Sequence, residues 1–99
     1  MRENRIYIVP IPAVTTTLLS DLPNGARATV QYVQAHGTGL DEDQLRRLGE
    51  LGFLPGEPVQ VLRRGPGGLE PLAVRVGDTL FALRLLEARC VAVHRSALA

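Results

Sequence analysis

Apolar residues recur at two spacings in this chain. Leu45, Leu48 and Leu51 fall three apart, whereas Ala28, Val30 and Tyr32, Val59 and Val61, Leu72, Val74 and Val76, and Phe81 and Leu83 fall two apart. The first spacing gathers three leucines on one face of a helix and leaves Arg46, Arg47 and Glu50 toward water. The second aligns side chains on one face of β-strands, with Thr29 and Gln31 on the other face of the first. The pattern predicts strands over 26–33, 58–63, 72–76, 79–83 and 90–94, with one helix between the first two.

Punctuation sharpens these elements. Asp41 stands at an N-cap position, Gln44 can reach back to it, and Leu40 and Leu45 have the spacing of a hydrophobic staple. Gly52 suits a left-handed C-terminal cap, and Pro55 prevents the helix from resuming. Gly49 lies inside this short helix at a cost of about 1 kcal/mol relative to alanine, which reads as a concession to close packing. Pro23-Asn24-Gly25 marks a tight turn after a helical turn at 18–22, and Gly77-Asp78 a two-residue hairpin. Gly65 to Gly68 form a longer loop, and Arg84 to Arg89 one helical turn. Residues 1–17 read as an N-terminal extension in which Ile6 to Val9 could pair only at an edge, because Pro10 and Pro12 follow. The domain proper spans 18–99. Short strands, one intervening helix and no βαβ spacing predict a mainly antiparallel, all-β fold, a small barrel that closes to avoid exposed edges.

Composition narrows the function. A 99-residue chain with 45% hydrophobic and 21% charged residues is a single ordered domain. Its net charge of +1 gives no general pull toward nucleic acid or membrane. The apolar run from Ile6 to Val14 is too short to cross a bilayer and lacks a cleavage site, so a cytoplasmic location is expected. One cysteine, Cys90, excludes an intramolecular disulfide and a cysteine-based zinc finger; it is expected to line the barrel or to sit half-exposed on the last strand. All eleven cationic side chains are arginines. No phosphate-binding lysine loop, paired-histidine motif, nucleophile elbow or convergent carboxylate pair occurs, which argues for a binding module and against an enzyme.

Four stretches carry a family resemblance: Leu19 to Gly25, Leu45 to Gly56, Val59 to Arg64, and Ala82-Leu83-Arg84 with Glu87-Ala88. In order and spacing, from Leu18 to His94, the chain resembles the FeoA family of accessory proteins of bacterial ferrous iron uptake. The extension at 1–17 and the glycine-rich loop at 65–68 depart from that pattern. The resemblance implies an SH3-like β-barrel and a role beside FeoB, the membrane ferrous iron transporter with a cytosolic GTP-binding region. Contact with the membrane would then run only through the transporter. The same barrel occurs at the C-terminus of iron-dependent repressors, an alternative that would call for a winged-helix segment not present here. A weak transition-metal-binding protein is the other alternative.

Candidate binding residues cluster around the helix. Two adjacent loop residues rarely both point inward, so Phe53 is expected to plug the barrel end and Leu54 to stand out as a docking knob. Arg46 and Arg47 flank that loop, and Arg63 and Arg64 form a second pair that the fold could bring to the same side. Glu50 and Glu57 would be local partners if these arginines were merely solvated. Phe53, Leu54, Arg46, Arg47, Arg63 and Arg64 are thus the partner-binding candidates. For metal, His36, Asp41, Asp43 and His94, with Glu42 nearby, are weak candidates without ligand spacing. No resident cofactor is expected. Adventitious zinc, or a divalent metal bridging two copies in a weak homodimer, is easier to build because each chain supplies only part of the shell.

Overall fold

A computed structural model describes residues 14–34 and 41–96. Six strands, β1 (Val14–Leu18), β2 (Arg27–Val33), β3 (Pro58–Arg64), β4 (Leu72–Val76), β5 (Thr79–Leu83) and β6 (Val91–Ser96), form one sheet. All neighbours are antiparallel, in the order β1-β6-β2-β3-β4-β5. Helix α1 (Glu42–Leu51) joins β2 to β3, and the short helix α2 (Leu85–Ala88) joins β5 to β6. The 3-10 turn Leu19–Asp21 that follows β1 packs against α2, which follows β5, so the two ends of the sheet curl toward each other.

The apolar alternation becomes a single core. Val59, Val61, Leu72, Val74, Val76, Leu83, Val91 and Val93 point inward, closed by Leu19, Leu22, Leu48 and Phe53, and no polar or charged residue is buried among the described residues. Leu48 lies fully inside, with Leu45 and Leu51 packed beside it, as the helical spacing predicts. The predicted cap also forms: the Gln44 backbone N–H donates to Asp41 Oδ1 at 2.9 Å, and the Asp41 N–H donates to Gln44 Oε1 at 2.9 Å. Gly52 ends the helix at φ 119, and Gly77 opens the β4–β5 hairpin at φ 57.

Three differences from the sequence reading have clear causes. Strand β1 starts at Val14, inside the segment read as an extension, and pairs along its length with β6. Its Val-Thr-Thr-Thr-Leu sequence lacks apolar alternation, but β-branched threonines suit an extended edge. Tyr32 is exposed rather than inward, because a bulge at Gln31 shifts the β2–β6 register and gives the inward place to Val33. A second bulge, at Leu62, shifts the β3–β4 register and sets Arg63 outward opposite Ala73. Gly49 is not a close-packing site: a Cβ there would meet only Leu54 Cδ2, at an ordinary 3.8 Å. The edge strand expected at Ile6 to Val9 and the Leu40 staple lie outside the described residues.

Candidate partner-docking site

The loop between α1 and β3 is built to hold its shape. After Gly52, the Leu54 N–H donates to the Gly52 carbonyl at 2.8 Å, and the Glu57 N–H donates to the Leu54 carbonyl at 3.0 Å. Two further bonds tie it to β2: Gly56 N–H to the Val30 carbonyl at 2.8 Å, and Val30 N–H to the Glu57 carbonyl at 2.9 Å. Gly56 lies at φ 91, a conformation only glycine adopts without strain. Phe53 is buried and its ring meets Phe81 at a centroid distance of 6.0 Å, so it anchors the loop in the core. Leu54, 52% exposed, projects from this frame beside Gly49. The split between an inward Phe53 and an outward Leu54 is the one expected from the sequence.

The arginines divide differently from the expectation. Arg46 makes an exposed i,i+3 ion pair with Asp43 at 3.3 Å, not with Glu50 or Glu57. Arg47 borders a polar depression of about 370 Å³ between α1, β5 and α2, where the second cation is Arg84. Arg84 escaped the sequence reading because its neighbours gave only a helical-turn signal. Its backbone N–H donates to Glu87 Oε1 at 2.7 Å, and Glu70 Oε1 accepts from the Leu85 N–H at 2.6 Å, so two carboxylates cap the start of α2.

Arg64 is engaged within its own chain. Its Nη2 donates to the carbonyls of Ser20 at 2.9 Å and Leu22 at 2.7 Å, while Nη1 donates to Asn24 Oδ1 at 2.8 Å. These bonds use the guanidinium as a brace between β3 and the turn after β1. Arg63 remains exposed, on the outer sheet face with Ala73. The two arginine pairs therefore serve different surroundings, and only Arg46 and Arg47 share a helix with the Leu54 loop.

The metal candidates do not converge among the described residues. Asp41 caps α1, Asp43 holds Arg46, and His94 lies half-buried on β6 opposite Thr16 and Thr29. No group of three or more His, Cys, Asp or Glu side chains among the described residues could hold a metal ion. His36 lies outside the described residues. Cys90 is buried before β6, where its thiol donates to the Leu86 carbonyl at 3.4 Å. No described helix is long and apolar enough to cross a membrane.

Comparison with known proteins places this geometry. A sequence model of the FeoA domain matches residues 17–95. The zinc complex of FeoA from Stenotrophomonas maltophilia, described as a procaryotic SH3 domain protein, is similar at 42% identity and a TM-score of 0.69, over 82% of this chain and 98% of that one. FeoA from Chlorobium tepidum is similar at 35% identity and a TM-score of 0.67, over 79% of this chain and 69% of that one. IdeR of T. acidophilum shares the fold alone, at 15% identity and a TM-score of 0.61, over 88% of this chain and 36% of that one. No curated protein matches the chain. With a family match across most of its length and the SH3-like fold in common, the chain belongs to the FeoA family of ferrous iron transport proteins.

Proposed function

We propose that this chain is a cytoplasmic accessory protein of ferrous iron uptake that acts by docking its Leu54 loop on the cytosolic region of a FeoB-like transporter. Family membership supports the link to ferrous iron. The observation that carries the docking surface is the half-exposed Leu54 on a loop stitched to β2 by two backbone hydrogen bonds. A knob already held in one conformation loses little entropy on binding. Arg47 at the rim adds orientation and speeds encounter more than it adds affinity. The role assigned is binding and regulation of the transporter, in keeping with the family's place in ferrous iron transport.

Leu54→Asp should leave the melting temperature nearly unchanged, because the side chain is exposed, and abolish co-purification with the transporter and support of iron uptake. Arg47→Glu should weaken association chiefly at low salt, since exposed charges are screened over about 8–10 Å near physiological ionic strength. A folded Leu54→Asp variant that still binds and supports uptake at wild-type levels would overturn the assignment.

A further inference from the structure

None of the six strands carries an aspartate or glutamate, whereas five arginines lie in them. The carboxylates lie on the helices, caps and turns instead. The register sets three of the five strand arginines, Arg27, Arg63 and Arg75, on one surface. Arg27 of β2 stands opposite Gln60 of β3, Gln60 opposite Arg75 of β4, and Arg75 opposite Leu80 of β5. In the next row, the bulge at Leu62 sets Arg63 outward opposite Ala73. Arg27, Arg63 and Arg75 are exposed, as is Leu80 at 58%, and none of the three arginines has an ion-pair partner among the described residues. Arg27 and Arg75, roughly 10 Å apart across two strand spacings, border a shallow depression of about 200 Å³ floored by Pro58, Val59 and Gln60. The Gln60 amide is fixed by donating to the Gly25 carbonyl at 3.2 Å.

We infer that this outer face is a second docking surface, for an acidic segment of a protein partner. Arg27 and Arg75 grip carboxylates on either side of Gln60, with Arg63 and the apolar Leu80 at the margins. Charge complementarity carries the assignment: these like-charged, planar donors share one sheet face with no ion-pair partner among the described residues, and guanidinium geometry matches carboxylates bidentately. The inference stands apart from the Leu54 loop, so either surface can fail without the other.

The test is fluorescence anisotropy with a short, fluorescein-labelled, glutamate-rich peptide at low ionic strength. Wild type should bind, and Arg27→Glu with Arg75→Glu should lose about tenfold or more in affinity. The charge-matched pair Arg89→Glu with Arg95→Glu should change it little, and Leu54→Asp should leave it intact. If the glutamate pair lowers the melting temperature, Arg27→Gln with Arg75→Gln removes the charge alone and should show the same loss. Equal losses in both charge-reversed pairs would overturn the proposal in favour of net charge. Binding to phosphatidylglycerol vesicles but not to the peptide would overturn it in favour of a lipid surface. A concentration-dependent dimer, seen by sedimentation and lost in the Arg27/Arg75 variant, would overturn it in favour of a second copy.

Discussion

Arg64, one of the binding candidates in the sequence, is held in place by its own chain. Its three donations go to two backbone carbonyls and an asparagine in the turn between β1 and β2. Arg64→Ala would leave those carbonyls short of partners at a half-buried site, and unfolding in urea should show a loss of about 1–3 kcal/mol. Gly49 gives the opposite sign. Its φ is ordinary and a Cβ has room 3.8 Å from Leu54 Cδ2, so Gly49→Ala should stabilise the fold by about 0.5–1 kcal/mol, read as a higher melting temperature.

At the scale of elements, α1 and its loop form the unit that joins packing to function. Leu48 is its buried key, 2% exposed, and Leu48→Ala should cost roughly 2–4 kcal/mol by opening a cavity beneath the helix. Denaturant unfolding checks this, and a change under about 0.5 kcal/mol would mean that the helix does not rest on that leucine. This unit was legible in the sequence because each signal is local: a capping box, a three-residue leucine spacing and a glycine stop. The inner faces of β3, β4 and β5 were legible for the same reason. Strand β1 was not, since threonines give no alternation, and its partner β6 lies at the far end of the chain. The bulges at Gln31 and Leu62 were also hidden, because nothing in the side-chain order marks an extra residue, although each reverses the faces beyond it. The exposed Leu54 could be reasoned from Phe53 next to it. The row of Arg27 and Arg75 needed the register.

For the whole molecule, membership of a ferrous iron transport family does not require that iron rest on this chain. With Asp41 and Asp43 committed to helix capping and an ion pair, and His94 alone on its strand, the monomer has no convergent shell among the described residues. Anaerobic calorimetry with Fe²⁺ should therefore show no tight stoichiometric binding to the monomer. A folded His36→Ala, His94→Ala variant should still support uptake. Loss of uptake in that variant would assign the histidines a role in metal handling.

The strand order also governs how the chain must assemble. β6 lies between β1 and β2, so the first described strand has no neighbour in the sheet until the last is in place. During synthesis, β2 to β5 can pair as a meander as they emerge, each with its predecessor, at small loop-closure cost. β1 must wait, its backbone donors open to water, until residues 91–96 clear the ribosome and slide in between. Completion of the sheet is thus a late event set by translation, and shortening the chain within β6 would leave β1 without its partner beside a four-stranded meander.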